Sequence, residues 1–232
     1  TVVTAITAQN TVGVQRAHPV PAAMVEAQLE SVVSDFAISA AKTGMLYDAE
    51  IIRCVATRWQ SLDIPLVVDP VMVATSGDAL MAGGASTALR EHLFPVAALV
   101  TPNLPEAAIL SGMAIRSRED METAAQRIAE SCPDTSILVK GGHMEGDLAT
   151  DLLLHKGDMQ WISAPWIPSD NTHGTGCTLS AAIAARLALG HDIPEAVRLA
   201  KSYITEAIRQ AWHGLGKGRG SLRHHIPTST LA

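Results

Sequence analysis

An α/β fold with a central, mostly parallel sheet is what this sequence predicts, and three observations carry the prediction. Short unbroken aliphatic runs, such as Leu66-Val67-Val68 and residues 97–100, alternate with segments on a helical period. Strands buried on both faces under helices read as such continuous runs. The chain of 232 residues is 47% hydrophobic but only 3% aromatic, an Ala/Val/Leu/Ile interior suited to helices on a sheet. Polar and glycine-rich stretches fall just after the apolar runs, where open α/β sheets bind their ligands.

In chain order, residues 2–8 are β-branched and apolar and predict a buried strand, followed by Gln9-Asn10-Thr11-Val12-Gly13 as a flap. Pro21 opens a helix with Val25, Leu29, Val32, Val33 and Phe36 on one face. Residues 37–43 form a short strand ending at Gly44-Met45, and 50–62 a helix with Ile51, Val55 and Trp59 in one stripe. Strand 64–68 closes on Asp69, and helix 85–93 precedes strand 97–101. Pro105 sits in a helix's first turn, where its missing N–H costs nothing. Helix 119–132 and strand 136–140 follow, then a hairpin of 150–156 and 159–166 turning at Gly157-Asp158. Helices from Thr178 and Pro194 complete the body. Without internal repeat, low-complexity segment or linker, residues 1–232 read as one domain. Because the chain opens on an apolar strand rather than Met, further sequence is expected ahead of Thr1.

Composition sets the function classes. The net charge is −6 and the basic residues form no stripe, so nucleic acid is not an expected partner. Cys54, Cys132 and Cys177 lie far apart with no Cys-x-x-Cys spacing, which argues against a disulfide framework or structural zinc and for a reducing cytoplasm. Polar or charged residues interrupt every apolar stretch before membrane-spanning length, so a membrane is not an expected partner either.

Four polar clusters follow successive strands: Asp69-Pro70-Val71-Met72, then residues 101–106, then Lys140-Gly141-Gly142-His143, then Gly174-Thr175-Gly176-Cys177. Asn103 and Glu106 project to one side of a first helical turn, and with Asp69 suit Mg²⁺, which takes few carboxylates beside phosphates and water. Lys140 offers a cation to a nucleotide phosphate. The Gly-Thr-Gly turn exposes backbone N–H groups at a helix start, an anion hole. Taken singly, an Asp-Pro is a turn, an Asn-x-x-Glu a helix start, and a Gly-Thr-Gly a plain turn. Their conjunction at successive strand ends points to phosphoryl transfer. Neither a P-loop nor a Gly-x-Gly-x-x-Gly fingerprint is present.

The stretches TAITAQNTVGVQ, KTGML, DPVMVATSGDAL, TPNLPEAAIL, LVKGGH, NTHGTGCTLSAAIAA and GLGKGRGSLRHH, in this order, make the chain resemble hydroxymethylpyrimidine/phosphomethylpyrimidine kinase of the ribokinase-like superfamily. The resemblance implies a three-layer αβα fold and ATP- and Mg²⁺-dependent phosphorylation of 4-amino-5-hydroxymethyl-2-methylpyrimidine, then of its monophosphate. It implies that Gln9, Met45 and Val71 line the pyrimidine pocket, and that Lys140, Thr101, Gly216 and Gly218 lie on the nucleotide side. Asp69, Glu106 and Asn103 would surround the metal, and Gly174 to Cys177 the transferring phosphoryl group. Relatives are commonly homodimers. The chain begins at the family's second strand, so the family's first strand and Gly-rich, Asp-containing segment are expected upstream. Thr75 stands where many relatives carry Lys.

Where related sugar kinases place an Asp base, this chain has Cys177. A helix N-terminus lowers a thiol's pKa, so a thiolate near neutral pH is expected, accepting the hydroxymethyl proton in the first step. Pyridoxal kinase is the alternative within the fold. From other classes stand a thiol enzyme using Cys177 with His173 as base, and a pyrimidine-binding protein without catalysis.

Overall fold

The computed structural model describes residues 1–72, 80–142, 147–212 and 214–226. Thr75 and His143, singled out above, lie outside them. The chain opens with the hairpin β1 (Ala5–Gln9) and β2 (Val14–Pro19), followed by α1 (Ala22–Asp35). Then come β3 (Ala41–Thr43), α2 (Ala49–Trp59), β4 (Leu66–Val68), α3 (Ala85–Ala88) and β5 (Leu99–Val100). They are followed by α4 (Leu104–Ser111), α5 (Arg118–Ala129), β6 (Ser136–Val139), β7 (Leu148–His155) and β8 (Asp158–Pro165). The last helices are α6 (Thr175–Ala188) and α7 (Ile193–Arg209).

The central sheet has the order β3-β4-β5-β6-β7-β8. Pairing is parallel from β3 to β6 and antiparallel from β6 to β8. Alternate side chains point to opposite faces, and the aliphatic runs serve both. Val68, Val100, Ile137 and Val139 pack with α1, α2, α4 and α5, while Val67, Leu99 and Leu138 pack with α6 and α7. The result is the expected three-layer αβα architecture.

Helix starts follow local chemistry. Asp48 caps α2 by accepting from Glu50 and Ile51 N–H, and Asp192 caps α7 by accepting from Glu195 N–H. Ser117 and Asp120 form a reciprocal capping box on α5. Each such cap replaces water on an otherwise unpartnered N–H and contributes about 1 kcal/mol.

Several elements differ from expectation. Residues 2–8 are not a buried strand of the central sheet: among the described residues β1 pairs only with β2, in a separate antiparallel sheet, and Ile6 is 61% exposed. β2 escaped the sequence reading because Gln15, Arg16 and His18 break any apolar run. Residues 9–13 are an ordered turn, with Asn10 Oδ1 accepting from Val12 and Gly13 N–H at 2.9 and 3.2 Å. Phe36 ends α1 and is 64% exposed rather than core. The segment after α3 tightens from a π-type turn over Leu89–Leu93 to a 3₁₀ turn over Phe94–Val96. The β7–β8 turn sits at Lys156 and Gly157, both with positive φ, one residue earlier than read. Finally, α6 starts at Thr175 rather than Thr178, so the Gly-Thr-Gly-Cys stretch is a helical turn and not a loop.

Candidate active site

Parallel strands β3 to β6 deliver their C-terminal residues to one rim, and the polar clusters meet there. Asp69 follows β4 directly; its N–H donates to Thr43 O at 3.1 Å, which ties the strand end to β3. Its carboxylate is buried and takes three partners from three elements. Lys140 Nζ lies 2.9 Å from Oδ1, Thr101 Oγ1 donates to the same oxygen at 3.4 Å, and Ser180 Oγ donates to Oδ2 at 3.3 Å. Lys140 extends β6, its N–H donating to Pro102 O at 2.8 Å. Burial works against its ammonium, but the Asp69 and Glu106 carboxylates outweigh that and hold Lys140 above the usual lysine range. Desolvating such a pair is costly, so the extra hydrogen bonds on Asp69 are what make it tolerable.

Glu106 belongs to the capping box that starts α4. Its Oε2 accepts from Asn103 N–H at 2.8 Å while Asn103 Oδ1 accepts from Glu106 N–H at 2.9 Å. Met72 N–H approaches the other carboxylate oxygen at 3.4 Å, leaving Oε1 only weakly engaged. Burial above all, with a contribution from Asp69, pushes this carboxyl above the usual carboxylate range, although Lys140 and two backbone N–H groups pull the other way. Of the three residues read as metal-holding, Asp69 and Glu106 share one buried environment, whereas the Asn103 oxygen is engaged in capping its own helix. Among the described residues no group of three or more His, Cys, Asp or Glu converges as a metal cage. The donor set instead suits a hard divalent ion that keeps most of its waters and borrows phosphate oxygens.

The turn expected to form an anion hole is the start of α6. Gly174, with φ of 83°, caps the helix in a left-handed conformation and brings no side chain to the orphan donors. Thr175 is anchored backwards, its hydroxyl donating to Thr172 O at 2.7 Å. The N–H groups of Gly176 and Cys177 have no acceptor within the helix, as in any first turn. A Cβ at Gly176 would lie 3.2 Å from Lys140 Nζ and 3.7 Å from Asp69 Oδ2, so glycine lets the helix end press against the ion pair. Cys177 differs from expectation. The residue is exposed by area, yet the protein standing around its sulfur pushes the thiol up from its ordinary value. Asp69 and Glu106 add to the rise, and Lys42 and Lys140 offset it only in part. Burial thus favours the thiol over the expected thiolate in the free protein.

The remaining predicted residues divide. Met45 and Val71 are half-buried beside this rim; Met45 O accepts from Thr4 Oγ1 at 2.6 Å, and Val71 N–H donates to Asp69 O at 2.9 Å. Thr101 is fully buried and directed at Asp69, so it supports the carboxylate rather than facing a nucleotide. Gln9 ends β1 and lines a cleft of about 200 Å³ with the hairpin tip, His173, Gly218 and Arg219. Gly218 N–H donates to Thr11 Oγ1 at 3.1 Å, and a Cβ at Gly216 or Gly218 would overlap Thr11. The tail glycines thus clasp the hairpin. His173 N–H donates to Gly220 O at 3.1 Å, and among the described residues no hydrogen bond links His173 to Cys177, as a thiol–imidazole pair would require.

Sequence reading passed over four contributors. Ser180 lies one helical turn beyond Gly176, a spacing that would have flagged it once the helix start was known. Lys42, in the quoted KTGML stretch, was assigned no role, although it acts on Cys177. Asp151 of β7 and Lys201 of α7 form a second buried pair at 2.6 Å, and Asp151 Oδ1 accepts from Gly141 N–H at 3.1 Å. A Cβ at Gly141 would overlap Thr150 O, so the chain just after Lys140 is held on two sides.

Comparison with known proteins adds four findings. A family model described as phosphomethylpyrimidine kinase matches residues 1–223. The hydroxymethylpyrimidine/phosphomethylpyrimidine kinase of Streptomyces coelicolor is 46% identical over 223 residues, covering 96% of this chain and 82% of that protein. Among solved structures, the phosphomethylpyrimidine kinase of Clostridium difficile aligns with a TM-score of 0.76 at 39% identity, over 89% of this chain and 85% of that one. The Staphylococcus aureus pyridoxal kinase, solved with AMP-PCP and pyridoxal, aligns at 0.84 with 33% identity, over 95% of this chain and 79% of that one.

Proposed function

The chain belongs to the phosphomethylpyrimidine kinase family, and from that premise we propose that it uses ATP to phosphorylate 4-amino-5-hydroxymethyl-2-methylpyrimidine and then the resulting monophosphate, in thiamine biosynthesis. The observation that carries the reading is the buried Lys140–Asp69 pair at 2.9 Å pressed beneath Gly176 at the start of α6. That arrangement supports the reading because a fixed cation and free N–H donors are what phosphoryl transfer needs, a reaction that depends on positioning more than on covalent chemistry. Fixed donors of this kind lower barriers by about 3–4 kcal/mol each in other enzymes.

Mg²⁺ would be held by Asp69 and Glu106, in part through water, and when bound would neutralise phosphate charge. Lys140 and the α6 N–H groups orient the phosphates, and Gln9, Met45 and Val71 border the pyrimidine. Cys177, a thiol at rest, first passes its proton to solvent; the resulting thiolate then accepts the hydroxymethyl proton as the alcohol oxygen bonds to the γ-phosphorus, so its role as base is confined to the first step. The second acceptor is an anionic phosphate oxygen and needs no base. A homodimer is supported by the exposed apolar residues Ile6 at 61%, Met24 at 55% and Phe36 at 64%. Among the described residues no helix is long and apolar enough to cross a membrane; a cytoplasmic setting is supported by the free cysteines.

Coupled measurement of ADP release with the hydroxymethyl pyrimidine, its monophosphate and pyridoxal tests the reading. Turnover of both pyrimidines, ahead of pyridoxal, is expected. Preference for pyridoxal, or binding of the pyrimidine without ADP formation, would overturn it.

A further inference from the structure

Lys42 lies in the middle of β3 and pairs in parallel register with Val67 of β4. Register neighbours share a face, and Val67 packs with the α6–α7 layer. Lys42 therefore points beneath the first turn of α6, where its ammonium acts on Cys177 and stands 3.1 Å from the place a Cβ would occupy at Gly44. The two lysines of the site differ in one respect. Lys140 is matched by Asp69 at 2.9 Å, whereas the Lys42 side chain has no hydrogen bond or ion pair among the described residues.

A half-buried cation next to a helix N-terminus gains nothing from that neighbour, which is itself positive. The protein's own charges do not account for its placement; an incoming anion does. Both phosphorylation steps bring a triphosphate, and Lys140 with the α6 N–H groups already faces it. Only the second step brings an acceptor that is itself a phosphate, adding roughly −1.5 to −2 of charge at the reacting end.

We propose that Lys42 binds the phosphate of the monophosphorylated acceptor and thereby fits the site for the second transfer. The proposal rests on the kinase reading above. In that step an oxygen of the acceptor phosphate bonds to the γ-phosphorus of ATP. The bond from that phosphorus to the β–γ bridging oxygen breaks, and ADP leaves with its electron pair. Lys42 transfers no proton; it supplies a charge-assisted hydrogen bond that the neutral alcohol cannot use.

The test compares kcat/KM for the alcohol and for the monophosphate, each with saturating ATP. In Lys42→Met the monophosphate value should fall further than the alcohol value, by on the order of tenfold to a hundredfold. Lys42→Arg should restore most of that difference. Equal losses with both acceptors would overturn the assignment, as would no loss with either. Should Lys42→Met fail to fold, calorimetry on the unaltered chain decides. The monophosphate should bind more tightly than the alcohol, with an advantage that shrinks as salt rises. Equal affinities at low and high salt would overturn the proposal. Turnover of neither pyrimidine by the unaltered chain would instead sink the kinase reading, while the salt-dependent binding still reports on Lys42.

Discussion

Lys201 of α7 and Asp151 of β7 meet at 2.6 Å in the interior, and the second oxygen of Asp151 takes the N–H of Gly141 at 3.1 Å. Gly141 is the residue after Lys140, so an ion pair outside the candidate site's rim fixes the backbone that carries Lys140. Removing one partner of a buried pair strands the other charge. Lys201→Met should therefore cost about 3–5 kcal/mol in urea unfolding. Adding Asp151→Asn should recover part of that loss, because an amide oxygen still accepts from Gly141. Equal stability of the single and double variants would contradict this account.

Glu106 offers a test with a definite sign. Burial holds its carboxyl above the usual carboxylate range, so its contribution to stability is fully present below the unfolded-state value, about 4.3, and is lost as pH rises through the folded one. At neutral pH and without Mg²⁺, the ionised group weighs against the fold. Glu106→Gln keeps an oxygen for the Asn103 N–H, so it should be as stable as the parent at pH 7 or more so. The difference should shrink as pH falls toward about 4. ATP turnover should drop sharply in the same variant. Denaturation at the two pH values, alongside activity, checks both halves.

Cys177→Ala should slow phosphorylation of the alcohol more than that of the monophosphate, because only the alcohol surrenders a proton. Single-turnover rates for the two acceptors decide the matter. Identical losses would assign the residue to shaping the turn.

The clasp between hairpin and tail predicts a position-specific effect of a single methyl group. Gly218→Ala must push Thr11 away, at about 1–3 kcal/mol for overpacking. KM for the pyrimidine should rise, and protease cleavage between β1 and β2 should speed up. Gly83, with open space around its Cβ position, is the matched control, and Gly83→Ala should do neither.

Much of this site was legible in the sequence because parallel strands announce themselves. Leu66-Val67-Val68 and Ser136-Ile137-Leu138-Val139 are unbroken runs, and whatever follows such a run sits on the rim. Asp69, Glu106, Lys140 and Gly174 to Cys177 were found that way. What stayed hidden depends on neighbours far along the chain. Lys42 matters because of its register with Val67, and Thr101 because its hydroxyl reaches Asp69. The upward shift of the Cys177 thiol follows first from the protein packed around it and then from Asp69 and Glu106, none of which a local pattern shows. β1 was misplaced because a half-exposed hairpin strand of Ala, Ile and Thr resembles a core strand in composition.

The change from parallel to antiparallel pairing at β6 also separates the chain by the distance its segments must travel to meet. His155 finds Asp158 across a tight turn, and Gln9 finds Val14 almost as locally. Ala41 must find Leu66 across α2, and Leu99 must find Ser136 across α4 and α5. Closing such long loops loses more chain entropy before any contact repays it, which slows folding. Lys42, Asp69, Lys140 and Cys177 all hang on those slow closures, whereas the two hairpins do not. In a refolding chain the hairpins should form early, and ATP turnover should be the last property to return.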